Sequence, residues 1–223
     1  MLRSTPKSYL VGEEKRSKGA AEAYKALKTN IEFSSQHSDI KTIMIASSIK
    51  GEGKSITAAN LSISYALSNK KVLLIDANLR HPSQHKIFNV PNSLGLSALL
   101  SDRCEPKDAI INLSAYNIGL IPGGQILPNP PEALASHRMT ALLGELKESF
   151  EVIILDTSPI LSVADAQIIA ARCDGVLLVV KAGEASRESL IKAKEKLSLV
   201  GARFIGAVMN NSNSRNSQYY SSY

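Results

Sequence analysis

Thr42-Ile43-Met44-Ile45-Ala46-Ser47-Ser48-Ile49-Lys50-Gly51-Glu52-Gly53-Lys54-Ser55 decides the fold. Its first five residues are a short apolar run that reads as a strand. A Gly-rich loop follows, then an amphipathic helix from about Lys54 to Ser68. The strand pattern recurs along the chain: Val72 to Ile75 ending on Asp76, Ile118 to Ile121, Val152 to Leu155 ending on Asp156, Val176 to Val180, and Phe204 to Met209. Unbroken apolar runs of this length mark strands buried on both faces, as in parallel sheets. Helical stretches separate most of them, notably Glu132 to Ser149, Ala164 to Arg172 and Arg187 to Val200. Strands alternating with helices predict an α/β fold with a mostly parallel sheet flanked by helices.

The loop between the first strand and its helix carries the first chemistry. Glycines there let successive backbone N–H groups turn inward around phosphate oxygens, and the helix N-terminus adds a favourable dipole. Lys54 is placed to reach the β/γ-phosphates, and the Ser55 hydroxyl to ligate Mg²⁺. The strict pattern G-x-x-x-x-G-K-[ST] asks for Gly at position 48, where this chain has Ser48. Gly51, Glu52, Gly53, Lys54 and Ser55 are therefore the expected nucleotide contacts.

Asp76 and Asp156 each close an apolar run. Both are expected at the C-terminal edge of the sheet, where open α/β folds bind ligands. Asp156, in Ile154-Leu155-Asp156-Thr157-Ser158-Pro159, has the form of a Walker B carboxylate that holds Mg²⁺ directly or through water. Asp76 is more informative. A kinase that activates a hydroxyl needs a second carboxylate as base or orienting acceptor, whereas a plain ATPase does not. The bland alternative is that Asp76 polarises a water for hydrolysis.

Composition sets the frame. The chain has 223 residues, 44% hydrophobic and 21% charged, which is enough for one domain with a real core. The longest apolar runs fall far short of the roughly 18 residues of a membrane span. The residues after Met1 do not read as a signal peptide. Two cysteines, Cys104 and Cys173, make neither a disulfide framework nor a metal cluster, so a reducing cytosolic setting is expected. Net charge is +6, of which residues 1–28 supply +4. Three of the seven tyrosines, Tyr219, Tyr220 and Tyr223, lie in the last five residues. Three units are expected: a basic arm and helix over 1–35, with residues 1–19 irregular and polar, a phosphate-loop domain over 36–211, and a flexible polar tail over 212–223. The helix, from Ala20 to about Ser34, has Ala20, Tyr24, Leu27 and Ile31 on its apolar side and Glu22, Lys25 and Lys28 on a polar face.

Three stretches together resemble the Walker A, A′ and B motifs of the bacterial tyrosine kinases of capsule and exopolysaccharide synthesis. They are Ser47 to Ser55, Leu73-Leu74-Ile75-Asp76-Ala77-Asn78-Leu79-Arg80, and Ile153 to Pro159. Ile121-Pro122-Gly123-Gly124 with Pro128-Asn129-Pro130-Pro131-Glu132 is similar to a further stretch of that family. The resemblance runs from about Ala20 to Asn210 and fits the Gram-positive split type. It implies a SIMIBI-type P-loop fold and an ATP- and Mg²⁺-dependent autokinase that phosphorylates Tyr219, Tyr220 and Tyr223 in trans. Lys54 and Ser55 would hold phosphate and metal, Asp76 would engage the acceptor, and Ser55, Asp76 and Asp156 would form the metal site. Asn210 resembles the Asn that contacts adenine in related folds. The family's ring-forming E-x-x-R-x-x-R reads here Glu22, Lys25, Lys28, with Lys at both Arg positions. Implied partners are a ring-like homo-oligomer, a separate transmembrane activator, a cognate phosphatase and protein substrates, but no nucleic acid. The resemblance places the chain in the cytoplasm, peripheral at the inner face of the membrane. One departure stands out: the family's D-A-D-L-R has Asn78 at its second acidic position, where an uncharged amide replaces a carboxylate.

Two rival readings share the fold. Partitioning-type switch ATPases carry a Lys five residues before the P-loop Lys, where this chain has Ile49, with Lys50 one residue off register. A nucleotide-binding regulatory subunit with weak kinase activity is kept alive by Asn78. Arg80 reads equally as a phosphate contact or a paired surface residue.

Overall fold

The computed structural model describes residues 10–11, 18–34 and 39–210. In chain order these form α1 (Lys18–Ser34), β1 (Thr42–Ser47), α2 (Lys54–Ala66), β2 (Val72–Asp76), α3 (Gln84–Ile87), α4 (Leu96–Leu100), α5 (Pro106–Ala109), β3 (Ile111–Leu113), β4 (Ile118–Ile121), α6 (Pro130–Ala135), α7 (His137–Ser149), β5 (Val152–Asp156), α8 (Asp165–Ala170), β6 (Gly175–Lys181), α9 (Arg187–Leu199) and β7 (Phe204–Asn210). The strands make one sheet in the order β3-β4-β2-β5-β1-β6-β7. Every neighbouring pair is parallel except the edge pair β3–β4.

The pleat divides each apolar run between two cores. Ile43, Ile45, Leu74, Leu120, Ile154 and Val179 face one way, towards Ile31 of α1 and Leu61 and Ile63 of α2. Met44, Leu73, Ile75, Ile153, Leu155 and Leu178 face the other way, towards Leu142 and Leu146 of α7, Ile169 of α8 and Leu197 of α9. Because both faces are covered, the inner strands β1, β2, β4 and β5 are buried throughout and show no polar alternation.

Asp174 ties down the opposite edge of the sheet from the phosphate loop. It accepts from Lys41 N (3.1 Å), Thr42 N (2.8 Å), Thr42 Oγ1 (2.8 Å) and Lys147 Nζ (2.8 Å). One carboxylate thus fixes the start of β1 to the approach of β6 and to α7. Burial raises its pKa, but the Lys147 and Thr42 hydrogen bonds outweigh this and the net shift is downward.

Three expectations are corrected. The single helix over Glu132 to Ser149 is two helices broken at Ser136. Ser136 is extended (φ −64°, ψ 158°) and its side chain accepts from Met139 N at 3.3 Å, so a good N-cap residue starts α7 afresh. The basic arm is not polar throughout. Leu10 and Val11 are buried, and Val11 N donates to Asn60 Oδ1 of α2 at 2.7 Å. Lys28 does not share the exposed face of Glu22 and Lys25. Its ammonium turns to the end of α2, 2.7 Å from Ser68 Oγ in the turn that follows and 3.6 Å from Glu32, because its long stem can cover the apolar α1–α2 seam. Glu22 and Lys25 stay exposed as a loose pair at 3.9 Å. Among the described residues, no helix is long and apolar enough to cross a membrane.

Candidate active site

The loop from Ser48 to Gly53 wraps over the N-terminus of α2. Gly51 and Gly53 both hold φ of 93°, a left-handed conformation that glycine adopts without steric cost. A Cβ on Gly53 would also lie 1.9 Å from Asn210 Nδ2, so the end of β7 packs directly on the loop. Lys54 and Ser55 follow as the first residues of α2, with Lys54 Nζ 3.5 Å from Ser55 Oγ. The loop opens into a cleft of about 450 Å³ lined by Lys50, Gly51, Gly53, Lys54, Ser55, Ile56, Asn78, Arg80, His81, Ser83, Ser158, Pro159, Ser162 and Val163.

Glu52 is absent from that wall. Its side chain turns beneath the loop, where Ser48 Oγ (2.8 Å) and Ile49 N (2.9 Å) donate to Oε2 and Lys181 N (3.4 Å) to Oε1. Ser48, the departure from the strict motif, is thus a partner of Glu52. Asn210, expected near adenine, donates its amide to Glu52 O at 3.0 Å.

Asp76 and Asp156 are directly opposite each other in the β2–β5 register, and both are fully buried behind the Ser55–Asn78–Ser83 wall. Asp76 Oδ1 accepts from Asn78 N (3.2 Å), and Oδ2 accepts from Ser83 N (2.7 Å) and Gln84 N (2.9 Å). Burial, then the neighbouring Asp156 charge, push the Asp76 pKa up to about 7 despite these donors. Burial also raises Asp156, against the pull of the Lys54 ammonium and of hydrogen bonds from Ser55 and Gln84.

Gln84 was not singled out by the sequence. Fully buried, it donates Nε2 to both Ser55 O (3.0 Å) and Asp156 Oδ2 (2.8 Å), while its backbone N–H serves Asp76. One residue therefore joins the phosphate-loop helix to both carboxylates. No motif marks it, because its contacts arise only when the Ala77–Ser83 loop folds back. Gly123 secures that fold-back, since a Cβ there would lie 2.6 Å from Pro82 Cβ. This gives the Ile121-Pro122-Gly123-Gly124 stretch a physical role.

Asn78 sits at the lip of the cleft. Its Oδ1 accepts from Ser158 Oγ (2.8 Å) and His81 N (3.4 Å), which leaves the amide Nδ2 as its remaining polar group. Arg80 is paired, with Nε and Nη2 on the two oxygens of Asp165 at 2.8 and 3.2 Å. Tyr219, Tyr220 and Tyr223 lie outside the described residues.

The donor set suits a hard divalent cation. Asp156 Oδ1 is buried without a hydrogen-bond partner, and the Ser55 hydroxyl belongs to the same cluster. Among the described residues no three His, Cys, Asp or Glu side chains gather as a metal cluster. A cation here would need its other ligands from phosphates and water, which is the habit of Mg²⁺.

Comparison with known proteins settles the family. Residues 40–205 match the family profile described as an AAA domain. The chain is 41% identical over 200 residues to the tyrosine-protein kinase YwqD of Bacillus subtilis, covering 89% of this chain and 84% of that protein. The chain belongs to the bacterial tyrosine kinases. The putative tyrosine-protein kinase CapB of Staphylococcus aureus is 35% identical to this kinase over 204 residues, 91% and 90% of the two chains. The kinase domain of the Escherichia coli tyrosine kinase ETK superposes on it with a TM-score of 0.90 at 31% identity, covering 98% and 86%. The kinase has the SIMIBI-type P-loop architecture and is an ATP-dependent protein-tyrosine kinase of capsule and exopolysaccharide regulation.

Proposed function

We propose that this kinase transfers the γ-phosphoryl group of ATP to Tyr219, Tyr220 and Tyr223 of a neighbouring copy. The observation that carries this reading is the side-by-side burial of Asp76 and Asp156 at the base of the phosphate-loop cleft. Lys54 and the N–H groups of Gly51 and Gly53 bind the phosphates. Ser55 and Asp156, with Asp76 beside them, would hold Mg²⁺, which when bound neutralises charge on the transferring group. Asp76 orients the acceptor hydroxyl and takes its proton. Burial raises the Asp76 pKa in the metal-free protein, and a cation bound beside it would favour the carboxylate form that a base needs. Asp76 is fully buried, with its oxygens accepting from the N–H groups of Asn78, Ser83 and Gln84, so an acceptor reaches it when this loop yields. Asn78 lowers the negative charge at the lip relative to an Asp and restrains the rate. Asn210 steadies the loop from below, at the point where the tail begins.

Assembly would use the exposed Glu22 and Lys25 face of α1 in a ring-like oligomer, with Lys28 contributing indirectly by seating α1 on α2. A membrane-bound activator would bring the ring to the inner face of the membrane. Each phosphate adds about −1.5 to −2 charge, so a phosphorylated tail leaves the neighbour's cleft and the oligomer loosens. The test is phosphopeptide mapping after incubation with labelled ATP and Mg²⁺, against a Lys54→Met control. Label is expected on the last three tyrosines, and deletion of Gln218 to Tyr223 should remove most of it. Persistent labelling of the truncated protein overturns the tail reading, and free phosphate without phosphotyrosine favours a switch ATPase.

A further inference from the structure

Glu52 presents an oddity that phosphate binding does not explain. Between Lys50 and Ile56 it is the one residue that does not line the cleft. It is 1% exposed, and it places a carboxyl group directly beneath a loop that receives anions. A negative group there opposes phosphate unless it does something the loop needs. Its contacts show what that is. Oε2 accepts from Ser48 Oγ at 2.8 Å and from Ile49 N at 2.9 Å, closing the loop on itself across four residues. The Oε1 contact to Lys181 N is longer, at 3.4 Å. Above it, the Glu52 carbonyl is held by Asn210 Nδ2 at 3.0 Å, in space that exists only because Gly53 has no Cβ.

We infer that Glu52 is a positioning residue: its Oε2 bonds to Ser48 and Ile49 form an internal strut that holds the phosphate loop open for nucleotide before nucleotide arrives. The strict motif uses Gly at position 48 to let the backbone turn. This chain has Ser48 there and gains a hydroxyl that anchors the strut. The loop is thereby ordered in advance, and binding need not supply that ordering. The Lys181 contact is secondary, being the long one. The inference concerns nucleotide capture alone and stands whether or not the tail tyrosines are the acceptors.

The two oxygens make the proposal separable by substitution. In Glu52→Gln the amide rotates so that its carbonyl faces Ser48 and Ile49 and its NH₂ faces the Lys181 N–H. The strut is kept and the long contact is lost. In Glu52→Ala both are lost, and buried donors are left unpaired. Ser48→Ala removes one limb of the strut. The experiment measures affinity for a fluorescent ADP with Mg²⁺, alongside hydrogen exchange of residues 48–53 in the nucleotide-free protein. Glu52→Gln should bind within about 3-fold of the parent, Ser48→Ala about 3- to 10-fold more weakly, and Glu52→Ala about 10- to 100-fold more weakly, as expected for leaving buried donors unpaired. The Ile49 amide should lose protection in Glu52→Ala and keep it in Glu52→Gln. Adding Ser48→Ala to Glu52→Ala should change little, because the two residues act as one device. Autokinase assays should show raised KM for ATP in Ser48→Ala and Glu52→Ala, a parent-like KM in Glu52→Gln, and kcat held within about 3-fold in all three, since the strut acts before transfer. Should Glu52→Ala not fold, Ser48→Ala carries the test by itself. Parent-like affinity in Ser48→Ala and Glu52→Ala, or an equal loss in Glu52→Gln and Glu52→Ala, overturns the proposal.

Discussion

Replacing Asp76 by Asn should make the metal-free protein gain stability at high pH while abolishing phosphotransfer. The Asp76 pKa stands at about 7 in the folded protein against an ordinary 3.8. The folded state therefore binds more protons than the unfolded state between these values, and stability falls as pH rises from the lower to the higher. Above about 7 the contribution is flat, with the whole cost of ionising a buried carboxyl expressed. At about 1.4 kcal/mol per pH unit, the cost is about 1.5 kcal/mol at pH 5 and about 4 kcal/mol at pH 8. Asn does not titrate and escapes it. It does carry a fixed penalty, because its carbonyl serves Ser83 and Gln84 N–H while its NH₂ faces the Asn78 N–H, a donor against a donor costing about 1–3 kcal/mol. At pH 5 the two terms nearly cancel and the variant melts close to the parent. From pH 5 to pH 8 the difference should swing by about 2.5 kcal/mol towards the variant, or roughly 5–10 °C in Tm for a domain of this size. The swing is independent of the fixed penalty, which makes it the diagnostic quantity. The assay is thermal unfolding in EDTA without nucleotide, at several pH values, on parent and variant together. A variant-minus-parent Tm that stays flat across this range refutes the electrostatic account of the Asp76–Asp156 pair.

Three further outcomes are expected. Asp174→Ala should cost about 2–4 kcal/mol in denaturant unfolding, because it strips a half-buried acceptor from Lys41, Thr42 and Lys147; the loss should fade as pH drops through the lowered Asp174 pKa, where the parent loses the same bonds. Gly53→Ala should lower nucleotide affinity at least about 10-fold in a binding titration, since the new Cβ displaces the Asn210 amide and the left-handed backbone disfavours any side chain. Asn78→Asp should raise the autokinase rate at saturating activator, read as initial phosphotyrosine formation, because one oxygen keeps the Ser158 and His81 bonds and the other adds charge at the cleft; an unchanged rate removes Asn78 from the transfer machinery.

The parallel strands were legible because each is a run of mostly apolar residues, and burial on both sides of the inner ones leaves no other pattern. Their carboxylate ends were legible for the same reason, since a charge that closes such a run falls at the sheet edge. The short helices α3, α4 and α5 and the edge strand β3 were not, because each spans only a few residues and takes its shape from what it packs on. Ser136 was hidden inside a helical periodicity that continues across it, and only its cap geometry breaks the helix.

The sequence by itself determined the phosphate loop, the identity of its Lys and Ser, and the presence of two strand-end carboxylates, because these depend on residue type at short spacing. Only the tertiary structure decided that Asp76 and Asp156 sit in register, that Gln84 links them to Ser55, that Arg80 is held by Asp165, and that Glu52 faces inward to Ser48. Those facts depend on strand order and on how the loop after β2 folds back. Contacts between residues far apart in the chain, or turned to the hidden side of a loop, leave no periodicity in the sequence.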